Sequence, residues 1–182
     1  MLEVRWHGRG GLGAVTSAEL LARSAASKGK YTQSFPSFGP ERRGAPVVAF
    51  LRISDEFIRS RTNISTPDIV VVIDPRLLGV VDVTAGLKDN GVVVINSIKT
   101  PEKLKADFGF KWTVAAVDAT RIARETIGVP ITNTAMIGAF LRVRPVVALE
   151  ELRDELKERF GSRADANFKA MERAYNEVVV KE

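Results

Sequence analysis

A run of glycines near the start of the chain combines several features of an anion-binding turn. Four glycines occupy six consecutive positions, and an arginine stands among them. Glycine tolerates positive φ and lets the backbone come close to a ligand. The free N–H groups of a helix that begins directly afterwards attract negative charge. We therefore expect a phosphate group to be bound by Gly8, Arg9, Gly10, Gly11 and Gly13.

The residues on either side of the glycines fit a dinucleotide-binding unit only in part. Alternating Leu2, Val4 and Trp6 predict a strand before the turn, and residues 14–27 predict a helix after it. The spacing G-x-G-x-x-G in that context is the dinucleotide fingerprint, which also needs an acidic residue roughly 20 positions later. Residues 28–33 contain no carboxylate, which disfavours NAD. Their lysines suit a ligand with an additional ribose phosphate, NADP or coenzyme A (CoA). The alternative is a turn that only packs a helix against the sheet.

A second candidate for ligand binding is the loop at residues 36–46. Three prolines and two glycines in eleven residues exclude a helix or a regular strand. Arg42 and Arg43 are adjacent within it, and the planar guanidinium group suits phosphate or carboxylate. We expect both arginines to take part in binding, although solvated charges on a surface turn are the alternative.

Composition excludes several classes of function. The chain has 182 residues, 45% hydrophobic and 27% charged, which is typical of one globular domain, here residues 1–182. Without cysteine, it has no disulfide, thiol nucleophile or thiolate-held zinc or iron–sulfur site. The only histidine, His7, is expected to be a packed residue at a strand end, so we expect no metal site. No apolar stretch approaches the roughly 18 residues of a membrane helix and no signal peptide is recognisable, which indicates a cytoplasmic protein.

The excess positive charge is confined to one third of the chain. Residues 1–66 carry 10 Lys/Arg and 5 Asp/Glu, whereas residues 67–182 carry 17 of each, giving +5 overall. This distribution favours an anionic ligand or an acidic partner surface near the glycine turn. Nucleic acid is disfavoured because no basic helix or aromatic stacking platform is present.

The remaining pattern predicts an α/β fold, a three-layer αβα arrangement around a doubly wound, mostly parallel sheet. Helices alternate with buried apolar strands, which is typical of this class. The strand at 47–53 follows a loop and is expected to be antiparallel. Asp74 ends the clearest central strand, where it either lies near a ligand crevice or caps the next turn. Further strands are expected at 31–35, 68–74, 92–96 and 112–118; helices at 119–127 and after Thr132 or Asn133; and two C-terminal helices with apolar stripes at Leu149, Leu152, Leu156 and Phe160 and at Phe168, Met171, Tyr175 and Val178.

Over nearly its whole length the chain resembles the gamma subunit of pyruvate and related 2-oxoacid:ferredoxin oxidoreductases. The resemblance rests on the glycine run at 8–13, the segment FPSFGPERRG at 35–44, the strand end at Asp74 and the segment NTAMIGAF at 133–140. The loop pattern GPE-x-RG is the specific part. The glycine fingerprint alone would not separate this family from dehydrogenases.

The resemblance implies one subunit of a complex that converts a 2-oxoacid and CoA to acyl-CoA and CO2 and reduces ferredoxin. It implies alpha, beta and delta subunits as partners, with thiamine diphosphate and iron–sulfur clusters held by them. No catalytic residue is implied in this chain, which is expected to bind or cover CoA. Asn133, within the resembling segment, is included among the expected cofactor-binding residues. Pyruvate is the expected substrate on prevalence alone.

Three alternatives remain at this stage. The chain could be a stand-alone NADP-dependent oxidoreductase, or an architectural subunit whose glycine turn touches only protein. It could also be the beta subunit of indolepyruvate:ferredoxin oxidoreductase, which shares the glycine-rich start. The loop pattern GPE-x-RG ranks this last alternative below the gamma subunit.

Overall fold

The computed structural model describes residues 1–37 and 44–182, and these residues form one seven-stranded sheet flanked by helices. The strands are β1 (Leu2–Arg9), β2 (Tyr31–Pro36), β3 (Pro46–Ser54), β4 (Ile69–Val72), β5 (Val92–Asn96), β6 (Thr113–Val117) and β7 (Val179–Lys181). The helices are α1 (Ala14–Ser27), α2 (Pro101–Phe108), α3 (Ala119–Thr126), α4 (Asn133–Val143), α5 (Arg153–Phe160) and α6 (Ala164–Glu177).

The sheet is mostly parallel, and the chain winds away from its centre in two directions. The strand order is β2-β3-β1-β4-β5-β6-β7. Strands β1, β4, β5 and β6 are parallel neighbours, β3 is antiparallel to β1 and β2, and β7 is antiparallel to β6. The predicted doubly wound sheet with an antiparallel strand at 47–53 is therefore confirmed.

Apolar side chains cover both faces of the sheet. On one face, Val4, Trp6 and Val71 pack with buried residues of α1, α3, α4 and α6. On the other face, Val70 and Val93 pack with α2 and the segment that follows β4. A sheet buried on both sides needs continuous apolar strands, which explains why the β-branched runs of β4 and β5 were recognisable. The layers agree with the predicted αβα arrangement.

Two elements differ from the sequence prediction. Helix α2 was not predicted; its N-cap Thr100 accepts a hydrogen bond from the Lys103 amide. Val178, expected on the last helical stripe, is the C-cap of α6; its amide donates to the Ala174 carbonyl at 3.0 Å and its side chain packs against the core. Helix α6 ends at Glu177, and β7 follows it as an edge strand beside β6. Pairing with a distant strand stabilises β7, which local periodicity does not reveal.

The first C-terminal helix is also shorter than its apolar stripe. Residues Leu149–Leu152 form a separate 3-10 turn before α5 begins at Arg153. Within the described residues, none of the helices combines the length and the apolar character needed to cross a membrane.

Gly138 provides a test of the packing between α4 and α6. A Cβ atom at this position would lie 1.9 Å from the carbonyl oxygen of Met171. We expect Gly138→Ala to lower the free energy of unfolding by about 1–3 kcal/mol or more, the usual cost of overpacking. Urea denaturation measures the change. Gly79→Ala is the control, because a Cβ there meets no atom within 4 Å; an equal effect of both substitutions would contradict the packing.

Candidate functional site

The candidate site is a cleft at the carboxyl ends of the central parallel strands. From β1 the chain passes through α1 to β2 and β3 on one side, and from β4 onward it continues on the other side. Open α/β sheets bind ligands outside the carboxyl ends of their strands at such a reversal point. The glycine turn after β1 and the turn after β4 therefore meet where a ligand is expected.

The glycine turn leaves most N–H groups of the first helical turn without a side-chain acceptor. Gly11 and Gly13 have φ values of 92° and 83°, in the left-handed region that favours glycine. Gly13 is the N-cap of α1 and has no side chain to cap it. The usual capping serine, threonine or aspartate is thus absent, and the N–H groups at the start of α1 can bind an external anion.

Two of the glycines predicted to bind a ligand also make contacts within the protein. The Gly10 amide donates to the Ala45 carbonyl at 3.2 Å. A Cβ at Gly8 would lie 3.1 Å from the Cβ of Ala14, so Gly8 allows the strand and the helix start to pack closely. Gly8 and Gly10 therefore shape the turn, whereas the N–H groups available to a ligand belong to the residues at the start of α1.

Asn133 is brought to the glycine turn by the packing of α4 against α1. A Cβ at Gly13 would lie 2.9 Å from both Cβ and Nδ2 of Asn133. The Ser17 hydroxyl bridges the two helices, lying 3.0 Å from the Gly13 carbonyl oxygen and 3.3 Å from that of Asn133. The Asn133 side chain is 3% exposed, and its buried Oδ1 has no partner in the described residues. The amide of Asn133 therefore lies against the turn with an unused acceptor, and its role in binding a cofactor stays a prediction.

Arg9 joins the glycine turn to the end of β4. Its Nε donates to Oδ2 of Asp74 at 2.9 Å, and its Nη1 donates to the Gly44 carbonyl at 2.9 Å. Arg76 binds the same carboxylate through its backbone amide, Nε and Nη2, at 2.7–3.1 Å. Asp74 thus caps the 3-10 turn Pro75–Gly79 and also lies in the cleft, so both interpretations of this residue hold.

The Asp74 carboxylate is kept ionised by its neighbours. Burial by itself would raise the pKa of Asp74, whose side chain is 3% exposed. Hydrogen bonds from Arg76 and the charges of Arg76 and Arg9 outweigh burial and hold that pKa below its usual value. A buried carboxylate with two guanidinium partners is therefore a fixed feature of the cleft at neutral pH.

A cavity of about 340 Å³ lies beside the two turns, and its lining contains residues that sequence analysis did not select. Asn96 ends β5 and donates through Nδ2 to the Ile73 carbonyl and to the Thr120 hydroxyl, at 2.9 and 3.0 Å. Exposed Arg124 has no ion-pair partner among the described residues. A larger cavity of about 580 Å³ continues along the ends of β5 and β6 and shares Pro75, Asn96, Thr120 and Arg124 with the first.

The two loop arginines predicted to bind a ligand remain to be placed. Arg42 and Arg43 lie outside the described residues. Gly44, which follows them, is placed beside Arg9 by the hydrogen bond to its carbonyl. Within residues 1–37 and 44–182 there is no cluster of three or more His, Asp or Glu side chains suited to a metal ion.

His7 is a packed residue at the strand end, as predicted. It is 6% exposed, and desolvation lowers its pKa to about 4, with a further contribution from the charge of Arg5. The imidazole is therefore neutral at physiological pH.

The glycine turn can be tested with two matched substitutions. Alanine at Gly11 or Gly13 is strained by the positive φ, by about 1–2 kcal/mol. Only at Gly13 would the new methyl group also overlap Asn133. We expect Gly13→Ala to lower the free energy of unfolding by about 1–3 kcal/mol more than Gly11→Ala, measured by urea denaturation. Equal losses would show that Asn133 does not pack against the turn.

His7 gives a prediction about pH. In the unfolded chain the pKa of His7 has its ordinary value of 6.5, whereas in the folded chain it is about 4. Because the unfolded state then holds more protons, the free energy of unfolding should fall as pH drops from 6.5 to about 4. The single imidazole can be followed directly by NMR. A titration midpoint near 6.5 in the folded protein, or an unchanged slope in His7→Gln, would refute the assignment.

Comparison with known proteins identifies the family. A family model described as pyruvate ferredoxin/flavodoxin oxidoreductase matches residues 3–177. The pyruvate/ketoisovalerate oxidoreductases common subunit gamma of Thermococcus kodakarensis is 54% identical, with 100% of both chains covered.

Two solved structures share the fold. The pyruvate oxidoreductase subunit PORC from Thermotoga maritima has a TM-score of 0.89 and 40% identity, covering 100% of this chain and 98% of that one. A 2-oxoglutarate:ferredoxin oxidoreductase from Magnetococcus marinus has a TM-score of 0.79 and covers 96% of this chain but 30% of its own. At 18% identity, this second likeness shows the fold alone. The chain belongs to the pyruvate ferredoxin/flavodoxin oxidoreductase family and is similar over its whole length to the gamma subunits of that family.

Proposed function

We propose that this chain is the gamma subunit of a 2-oxoacid:ferredoxin oxidoreductase, with pyruvate as the first candidate substrate, and that it binds the diphosphate of CoA. The complex would convert the 2-oxoacid and CoA to acyl-CoA and CO2 and pass two electrons to ferredoxin. The family and the gamma-subunit relatives support the first part. CoA is one of the compounds bound in the Magnetococcus marinus protein, whose fold is shared.

The observation that carries the CoA proposal is the uncapped start of α1 beside paired arginines. Gly13 provides no capping side chain, so the first N–H groups of the helix need an acceptor. Arg9 lies next to them at the mouth of the cleft, with Arg76 bound to the same carboxylate. Amide donors, a helix dipole and guanidinium groups together suit the two adjacent anionic groups of a diphosphate.

This chain's contribution would be to hold and orient CoA. The glycine turn, Arg9, Asn133 and the loop arginines Arg42 and Arg43 bind the phosphates, and the thiol end extends toward the reaction centre of another subunit. Holding a reactant in place uses binding energy to lower the entropic part of the activation barrier. No proton transfer is assigned to a residue of this chain, since the only histidine, His7, is neutral and buried within β1.

The redox chemistry belongs to other subunits. Thiamine diphosphate supplies decarboxylation and iron–sulfur clusters supply electron transfer when they are bound in the complex. Without a single cysteine, this chain offers no thiolate to hold such a cluster. The proposed partners are therefore the alpha, beta and delta subunits, with ferredoxin as the acceptor, in the cytoplasm.

One observation favours a purely architectural subunit as the second candidate. The Gly10 amide and two nitrogen atoms of Arg9 already bind groups of this chain. If the remaining amides of the turn bind a neighbouring subunit, the turn would only join the complex together. A structure of the assembled complex would distinguish the two candidates.

Steady-state kinetics of the assembled complex provide the test. We expect Arg9→Gln, Arg42→Ala and Arg43→Ala, made separately, to raise the KM for CoA by about tenfold where a charge-assisted bond to phosphate is lost. The KM for the 2-oxoacid should stay within about twofold of wild type. Lys111→Ala is the control, because Lys111 precedes β6 and so lies at the amino ends of the parallel strands, opposite the cleft.

If none of the three substitutions raises the KM for CoA by more than about twofold, the proposal that this chain binds CoA is wrong. If Arg9→Gln alone has an effect, the role of the loop arginines is wrong. Turnover of NADPH by the purified chain would support a stand-alone oxidoreductase instead.

A further inference from the structure

The geometry points to a diphosphate clamp in which Asp74 holds Arg9 and Arg76 side by side, so that the site prefers two linked phosphates to one. This inference rests on the proposed function. It adds Arg76 as a ligand-binding residue and Asp74 as a positioning residue.

Arg76 is bound to Asp74 along one edge of its guanidinium group. Nε lies 2.9 and 3.1 Å from the two carboxylate oxygens, and Nη2 lies 2.7 Å from Oδ2. Its Nη1 has no acceptor among the described residues, and the side chain is 74% exposed. The guanidinium group is therefore held in place through Nε and Nη2, while Nη1 can still donate to a ligand.

Arg9 is held by the same carboxylate. Its Nε binds Oδ2 of Asp74, and its Nη1 binds the Gly44 carbonyl. Its Nη2 has no acceptor within residues 1–37 and 44–182, and the side chain is 25% exposed. Two guanidinium groups thus share one carboxylate oxygen, each with a nitrogen that can still donate hydrogen bonds.

A simple capping role does not explain this arrangement. Asp118 is also a strand-end aspartate, and it caps α3 by accepting from the Arg121 amide at 2.9 Å. The Nε of Arg121 lies 3.8 Å from Oδ2 of Asp118, and the Arg121 guanidinium group donates instead to Glu125 and Glu177. Asp74 is 3% exposed and Asp118 25%. Capping therefore requires neither the burial nor the second guanidinium group found at Asp74.

The charges of the cleft match a diphosphate. Asp74, Arg76 and Arg124 are the charged residues that line the 340 Å³ cavity, and Arg9 is bound to Asp74 from the glycine turn. Three guanidinium groups and one carboxylate leave two positive charges. In a diphosphate diester such as that of CoA, each phosphate carries one negative charge, and each of the two fixed guanidinium groups can bind one phosphate. A single phosphate can use only part of this arrangement.

The test uses the purified full-length chain with inorganic pyrophosphate and inorganic phosphate as probes, measured by titration calorimetry. We expect the wild type to bind pyrophosphate about tenfold or more tightly than phosphate. Arg76→Gln should remove most of that preference and leave phosphate binding within about threefold of wild type. Arg76 is exposed, and in this variant Asp74 keeps the hydrogen bonds from Arg9 and from the backbone amide of residue 76. Thermal unfolding establishes that the variant is folded at the temperature of the titration.

Asp74→Asn tests the positioning role against a matched control. Asp68 precedes β4 at its other end, where it binds Lys88 and the Glu3 amide, so Asp68→Asn makes the same substitution at an ion pair far from the cleft. We expect Asp74→Asn, and not Asp68→Asn, to abolish the preference for pyrophosphate. Thermal unfolding of both variants establishes that each is folded at the temperature of the titration.

Three results would each overturn the clamp. The first is a wild type that binds both probes equally, and the second is an Arg76→Gln variant that keeps its preference. The third is an Asp74→Asn variant that binds both probes more tightly, since the carboxylate would then only compete with ligands. In each case, a raised KM for CoA in Arg9→Gln complexes would still support the proposed function, so failure of the clamp and failure of the proposed function are distinguishable.

Discussion

The parallel pairing of β1 with β4 is the constraint from which the cleft follows. Val4 to His7 pair in register with Ile69 to Val72, and the Ile73 amide extends the ladder by donating to the His7 carbonyl at 2.8 Å. Residues on both faces of these strands are buried, so a slip of one residue would exchange the two apolar faces. The register therefore brings the glycine turn and Asp74 to the same place, although 65 residues separate Arg9 from Asp74.

Burial of the Asp74 carboxylate is the main electrostatic cost of this arrangement. A buried carboxylate is tolerated when charged partners and hydrogen bonds replace its water. Arg9 and Arg76 provide both, with five hydrogen bonds that include the backbone amide of Arg76. The same contacts that stabilise the carboxylate fix the two guanidinium groups at the cleft, so one interaction serves stability and geometry.

The elements that could be predicted from the sequence are those whose signal is local. Helix α1 has the predicted bounds of 14–27, because an apolar face follows a glycine turn directly. Strands β4 and β5 were recognisable as continuous β-branched runs. Strand β7 was missed because three exposed residues have no periodic pattern and depend on pairing with β6. Helix α2 was missed, although Thr100 and Pro101 at its start are a capping signal.

The site was predictable to a similar extent. The glycine turn and the strand-end position of Asp74 follow from local sequence, and Asn133 was selected from the family resemblance. Their mutual contacts depend on sheet order, which no local pattern specifies. Arg76 and Arg124 were missed for the same reason, since only the fold brings them into one cavity with Leu12 of the glycine turn. Asn96, at the end of a predicted strand, could have been found by applying the strand-end rule to every parallel strand.

The central claim is that the uncapped amides at the start of α1 bind the diphosphate of CoA. A structure of the assembled complex with CoA bound measures this directly. We expect diphosphate oxygens at about 3 Å, hydrogen-bond distance, from the backbone nitrogens of Gly11 or of residues 13–15 and from a guanidinium nitrogen of Arg9; the Leu12 amide already donates to the Arg9 carbonyl. A diphosphate bound elsewhere, with those amides in contact with another subunit, would contradict it.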